Sequence, residues 1–181
     1  MKVRRVVIAT DSSGRSVVSS DDASPRAHDF VNTPGFGQAL VWTTAPGPTL
    51  PFDGADPTPS ASSLVPDPGA TSFIVLTFPP DTVYADSRFD GAAAAAEAAE
   101  HSPGIAETLE SDHPGMHTTP TVDYNVVLDG EVWIELSDGA EVKLVAGDVV
   151  VQHGARHAWR NKSDRPATIA AILIGAQRYA P

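Results

Sequence analysis

The chain has 181 residues, 41% of them hydrophobic and 19% charged, which is enough for one well-buried core and within the usual size of a single domain. Against 12 basic residues stand 23 acidic ones, a formal charge of -11 opposite to the basic footprint that nucleic acid or an anionic membrane selects, so neither is expected as a partner. The absence of cysteine excludes disulfides, thiolate metal ligands and a cysteine nucleophile, and a cytoplasmic location fits that inventory.

The first eight residues carry positive charge, but their apolar run is too short for the core of a signal peptide and polar residues follow at once, so they read as a first strand. Residues 6–10 and 16–19 are β-branched runs flanking the turn formers of 11–14, which predicts an opening hairpin. Further strands are predicted over 39–44 and 73–78. Between these two, residues 46–69 are rich in Pro, Asp and Ser, without periodicity and poor in apolar surface; they read as a long surface loop, a lid, or a contact arm for another subunit. The alanine run of 90–100 is the strong helix signal, with Asp90 placed as N-cap and alanines expected to pack closely on a sheet. Ser102 and Pro103 stop it and can start a short second helix through Leu109.

From Met116 onward the texture changes to short alternating strands separated by the turns Asp129-Gly130, Asp138-Gly139 and Ala146-Gly147-Asp148, the pattern of an antiparallel barrel or sandwich. Over 132–136, Val132, Ile134 and Leu136 share one face while Trp133 and Glu135 share the other. The longest apolar stretch, 167–176, falls well short of the roughly 20 residues that span a bilayer, so a soluble protein without a membrane partner is expected. The domain reading is an N-terminal part, 1–105, in which strands, Pro-rich loop and Ala-rich helix pack on a barrel core, 106–181, the two forming a single structural domain.

Groups able to bind a metal or handle a proton recur beside glycine turns in two places, Gly115 to Gly130 and Gly147 to Asn161. Strand periodicity puts His117 and Thr119 on one face, and His157, Trp159 and Asn161 on one face, with Ala158 and Arg160 turned outward. Asp123 follows the corner at 119–121 and reaches the same interior. An inward imidazole serves either as a ligand or as a hydrogen-bonded core group, and an inward carboxylate needs a cation or several donors to offset its desolvation. Asn161 and the Asp-Gly turns read as structural. Tyr124, next to Asp123, faces away from it, and His28 and His101 have no supporting context.

These two segments resemble the paired motifs of the cupin superfamily. His117, Thr119, Asp123 and Gly130 fall on the His, His, Glu and closing Gly of the first motif, with three residues between Thr119 and Asp123 and six between Asp123 and Gly130. Gly147, Gly154, His157 and Asn161 fall on the Gly, Gly, His and Asn of the second, with one residue fewer after the first glycine and Gln152 where proline is usual. The resemblance covers the stretch from Gly115 to Ile174. It implies an all-β, antiparallel cupin-type barrel of jelly-roll character, here with an N-terminal strand extension and one or two short helices. It also implies a divalent metal, Fe, Mn, Ni or Zn, although Thr119 replaces one histidine and Asp123 the glutamate. The ligands carried over are His117, Asp123 and His157, a two-histidine, one-carboxylate set that leaves open positions on the ion.

Around that set, Thr119, Val132, Ile134 and Trp159 are expected to line a substrate pocket, His113 to be able to replace the missing ligand if Pro114-Gly115 bends inward, and His153 to act as a proton donor at the mouth. The function that follows is a metal-dependent enzyme acting on a small hydroxy or oxo compound by decarboxylation, dehydration or isomerisation, with the ion as Lewis acid. An Fe(II) dioxygenase is the second reading, and a non-catalytic cupin that binds a metabolite without metal is the third. Outward Trp133 and the long N-terminal segment suggest a homodimer.

Overall fold

The structure is a computed structural model and describes residues 1–177. Its opening hairpin pairs β1 (Arg4–Thr10) with β2 (Ser16–Ala23) in antiparallel register, with a bulge between Val7 and Ile8. The turn between them is held by Asp11, whose side chain accepts from the N–H groups of Ser13 and Arg15. The remaining strands form two antiparallel sheets. The larger has six strands, β3 (Arg26–Asp29), β4 (Gly37–Thr44), β5 (Thr71–Phe78), β11 (Ala167–Gly175), β6 (Thr121–Asp129) and β9 (Val149–His153), in that spatial order. The smaller runs β10 (His157–Arg160), β7 (Glu131–Leu136), β8 (Glu141–Val145). This is the all-β, antiparallel class that the alternation after Met116 implies. β3, β4 and β5 are members of the larger sheet itself: β5 pairs with β11 from Thr71–Ile174 to Phe78–Ala167, so a line drawn at residue 105 runs through one sheet.

Alternation on each strand decides where the core lies. Val127 of β6 and Ala167 and Ile169 of β11 face Val132 and Ile134 of β7 and Leu144 of β8 across the gap between the sheets, closing one end of the barrel with apolar side chains. The chain crosses from the larger sheet to the smaller at Asp129-Gly130, where a Cβ on Gly130 would stand 2.8 Å from the Ala167 Cα and from the Pro166 carbonyl oxygen, so glycine is required by the close approach as well as by its φ of 75°. A second buried cluster of Leu40, Leu64, Ile74, Ala171 and Leu173 lies farther along the larger sheet.

Residues 46–69 run mostly exposed over the surface, as a loop that Leu64 helps to anchor. Thr58 and Leu64 are fully buried, a short 3-10 turn covers Thr58–Ser60, and Arg26 donates to the Ala61 carbonyl at 2.7 Å. The Gly69 N–H donates to the Gly175 carbonyl at 2.8 Å. Three small anchors thus dock a segment whose average composition is polar.

The helix α1 (Gly91–His101) begins where expected, with the Asp90 side chain accepting from Ala92 and Ala93 N–H, both at 3.0 Å. Its alanines do not pack into a core, since the helix has no buried residue. Alanine is too short to reach an apolar neighbour, and polar contacts hold the helix instead. Glu97 accepts from the N–H groups of Val31 and Asn32 at 2.8 and 2.7 Å and meets His28 at 2.9 Å. His28 and His101 stack with ring centroids 3.5 Å apart, and Gln38 donates to the His101 carbonyl at 2.9 Å. The continuation through Leu109 is one 3-10 turn, Ala106–Thr108. Among the described residues no helix is long and apolar enough to cross a membrane.

Candidate functional site

β6 presents Thr121, Asp123, Asn125 and Val127 to the interior and Tyr124 and Leu128 to the outside, a strict alternation that makes a polar ladder ending on the apolar core. Gln152 is the direct partner of Asp123 on β9, so both side chains stand on the same face. From the smaller sheet His157 enters beside Leu136, and Trp159 beside Ile134. His117 belongs to no named strand but forms an isolated antiparallel bridge with His157. Each backbone N–H donates to the other's carbonyl, at 2.9 and 3.0 Å, and the ring centroids lie 4.2 Å apart.

Both rings are held the same way. The His117 Nδ1 lies 3.0 Å from the Gly115 carbonyl oxygen and the His157 Nδ1 lies 2.9 Å from that of Ala155. A carbonyl can only accept, so each Nδ1 carries the hydrogen and each Nε2 keeps a lone pair, the tautomer that a metal-ligating histidine needs. Gln152 Nε2 lies 3.0 Å from Asp123 Oδ2 and 3.0 Å from His157 Nε2, and donates to both; its 3.2 Å approach to His157 Nδ1 is not a second bond, because that nitrogen already donates to Ala155. Thr119 and Thr121 share a hydroxyl hydrogen bond of 2.7 Å.

Burial sets the protonation states. It pushes the Asp123 carboxyl up, against hydrogen bonds from Thr121 and Gln152 and the charge of His117. It pushes His117 down, against its bond to the Gly115 carbonyl and the nearby charges of Asp123 and Glu110. His157 is pushed down to about 4 by burial and then by the proximity of His117. Both imidazoles are therefore neutral near pH 7, and the Nε2 lone pair of His157 accepts from Gln152.

Whether these residues suit a divalent ion turns on two observations. Asp123 is 5% exposed and its Oδ1 is buried without any hydrogen-bond partner. Among the described residues, however, no three His, Cys, Asp or Glu side chains by themselves stand close enough to hold a metal, because the Gln152 amide lies between Asp123 and His157. The two amide atoms have the same shape, and exchanging them would present an oxygen where an N–H2 now stands. Two imidazole nitrogens, a carboxylate with an orphaned oxygen and an amide oxygen would then be donors of the types that divalent ions take.

The structure brings His117, Asp123, His157 and Thr119 together, and Trp159 borders them with its ring centroid 6.1 Å from that of His157. Val132 and Ile134 are buried in the apolar core below. It does not bring His153 or His113 to the group. β9 continues through His153, so alternation turns that side chain to solvent on the face opposite Gln152. His113 bonds Glu135 Oε1 at 2.8 Å, and Arg160 donates to Glu135 Oε2 at 2.7 Å, an ionic cluster on the outer face of β7. Arg160 also donates to the Pro114 carbonyl at 2.8 Å, which folds the 114–115 segment over Ala158 and buries a residue that alternation alone places outward. Beside the mouth, Arg156 makes a two-bond pair with Glu110 at 2.7 and 2.6 Å, tying the loop before His117 to the loop before His157. Surface clefts of about 370 Å³ (around Met1, Asp29 and Thr168) and about 320 Å³ (around Arg5, Trp42 and Asp56) do not include these histidines.

Two polar residues of the site, Gln152 and Asn125, escape motif reasoning. The signal for both was parity: each is a polar residue at an inward position of a strand, Asn125 in phase with Asp123 and Gln152 as the pairing partner of Asp123.

No family model matches the chain. Over 48 residues, 26% of this chain, it is 52% identical to the phomopsin biosynthesis cluster protein C' of Diaporthe leptostromiformis, 25% of whose length is matched. Over 60 residues it is 38% identical to the cupin-domain-containing oxidoreductase srdB of Neurospora crassa, covering 33% of this chain and 31% of that protein. The chain thus matches about a third or less of these curated relatives' length. Among solved structures, a cupin domain from Bordetella pertussis is similar at 18% identity and a TM-score of 0.36, covering 59% of this chain and 82% of that one. Cupin domains are among its solved structural neighbours, and over those 60 residues the chain is similar to a cupin-domain-containing relative.

Proposed function

We propose that this chain is a metal-dependent small-molecule enzyme of the cupin type, acting on a hydroxy or oxo compound by decarboxylation, dehydration or isomerisation. The observation that carries the reading is the pair of neutral imidazoles, each fixed at Nδ1 by a backbone carbonyl, converging with a buried carboxylate whose Oδ1 has no partner. An isolated buried carboxylate is costly, and a cation offsets that cost. His117, Asp123 and His157 would hold the ion, with Gln152 as fourth donor, and its identity lies among Fe, Mn, Ni and Zn. When bound, such an ion polarises an oxygen of the substrate as a Lewis acid.

The chain's own groups supply the rest. Trp159 and Leu136 wall the site and exclude water from its deep side, where the apolar core begins. The Gly115 and Ala155 carbonyls keep both rings in one tautomer. A homodimer without nucleic-acid or membrane partners, in a cytoplasmic setting, belongs to the same proposal and rests on the acidic, cysteine-free composition and on the exposed apolar face taken up below.

Metal analysis of protein purified without added metal tests the reading, with the same measurement on His157→Ala. Stoichiometric metal in the parent and its loss in the variant are expected. Equal content in both would remove the basis of the proposal. A second reading, an Fe(II) dioxygenase, is favoured by the two-histidine, one-carboxylate set and by a relative described as an oxidoreductase. Oxygen consumption during turnover separates the two.

A further inference from the structure

Two residues inward from Asp123, Asn125 is 5% exposed, and its Nδ2 is buried with no hydrogen-bond partner. Its neighbours explain why: directly across on β9 stands Val150, and directly across on β11 stands Ala171, neither of which offers a side-chain acceptor. A buried amide donor left unpaired costs stability, and folded proteins rarely carry one without a reason. Among the described residues the other two buried orphans are the Asp123 Oδ1 of the same ladder and the Arg5 Nε, and Arg5 already has Asp56, Thr58 and the Val41 carbonyl as partners for its other nitrogens. Asn125 has none of these compensations. It stands where the polar ladder of β6 meets the apolar core, one step below the histidines.

We infer that Asn125 is the anchor for the distal end of the ligand, donating from Nδ2 to a carboxylate or carbonyl oxygen while the proximal end of the same molecule faces His117, Asp123 and His157. The inference rests on the proposed metal site and narrows its substrate class. Alternate residues of a strand are about 6.6–6.8 Å apart, so a molecule reaching from the Asp123 level to the Asn125 amide is short and carries oxygen at both ends. Small 2-oxo acids, hydroxy acids and dicarboxylates satisfy that. Longer or singly functionalised molecules do not, because Val127 and Ile169 close the barrel immediately below.

Malonate is a suitable probe, titrated calorimetrically into the full chain once with Mn(II) and once with EDTA. Asn125→Leu keeps the branched outline of the side chain and removes the donor; Asn125→Asp keeps the size and replaces the donor by an anion. The expected result is malonate binding that weakens about tenfold or more in Asn125→Leu, the loss of a hydrogen bond to a charged group, and disappears in Asn125→Asp, with Mn(II) affinity of the leucine variant within about twofold of the parent. The ligand-free leucine variant should also melt about 2–4 °C higher or more, because it no longer buries an unpaired donor. Malonate binding equal in parent and Asn125→Leu overturns the inference and leaves the metal site standing, and an unchanged melting temperature alongside it assigns the amide to a structural water. Malonate binding that depends on Asn125 equally with Mn(II) and with EDTA keeps the anchor and removes the metal reading. No malonate binding by the parent under either condition overturns the ligand class and the anchor together.

Discussion

Gln152 is the residue on which the ligand-free site closes. Its N–H2 serves Asp123 and His157 at once, so it satisfies two buried acceptors with one group. Gln152→Ala leaves both without a donor, and the fold should lose about 1–3 kcal/mol, read as a lower midpoint in urea at an unchanged slope. Gln152→Glu separates the structural from the metal-binding role. A second carboxylate beside Asp123 repels it when the site is empty, and the same carboxylate becomes a strong fourth donor when a cation is present. The variant should therefore melt below the parent in EDTA and gain more than the parent from added Mn(II); equal gains in both would show that Gln152 does not face the ion. The histidines and Asp123 could be found from motif spacing because ligands at fixed offsets on alternating strands leave a pattern that survives substitution. Gln152 could not, since the motif places proline there, and Asn125 was hidden by its type: asparagine usually marks a turn, and only counting in twos from Asp123 turns it inward.

At the level of elements, α1 shows why local propensity and tertiary docking are separate questions. Nine residues of strong helix former and a capping aspartate define where the helix starts, yet say nothing about what holds it. The holding group is Glu97. Burial alone would push its carboxyl up, but His28 and the N–H groups of Val31 and Asn32 outweigh burial and bring it down to about 2, from an ordinary value of 4.5. A carboxyl depressed in the folded state binds fewer protons than in the unfolded chain, so its contribution is complete above about pH 4.5 and disappears as pH falls through about 2. Glu97→Gln should be less stable than the parent at neutral pH, by about 1–3 kcal/mol for hydrogen bonds to a charged group, and the two acid-unfolding curves should converge near pH 2. A difference that persists undiminished at that pH would mean that packing, not charge, docks the helix. His28 and His101 carry no signal in the sequence because a stacked pair 73 positions apart (101 − 28) obeys no local period.

The whole molecule leaves two apolar patches uncovered. On the outer face of the six-stranded sheet Tyr124 pairs with Val151 and with Ile172, and Val126 pairs with Val149, while Val149 and Val151 are 60% and 57% exposed. β9, which carries both valines, is an edge strand with one side unpaired. On the opening hairpin Ile8 faces Val18, and these are 58% and 59% exposed; β1 and β2 pair only with each other, and a lone two-stranded hairpin is marginal in water. Two contiguous apolar patches on one acidic chain are what a self-associating protein needs, and burying them against a second copy would cover both. Trp133, the sequence-level candidate for that interface, is instead half-covered by Lys143, whose Nζ lies 5.1 Å from the ring centre. The opposing term is the charge of -11 on each copy, which salt screens over about 8–10 Å at ordinary ionic strength. Light scattering at micromolar concentration should therefore report a dimer that tightens as salt rises, and Val149→Lys with Val151→Lys should convert it to a monomer with an unchanged circular dichroism spectrum. A parent chain that stays monomeric in high salt would show that this face is left to water or to a different partner.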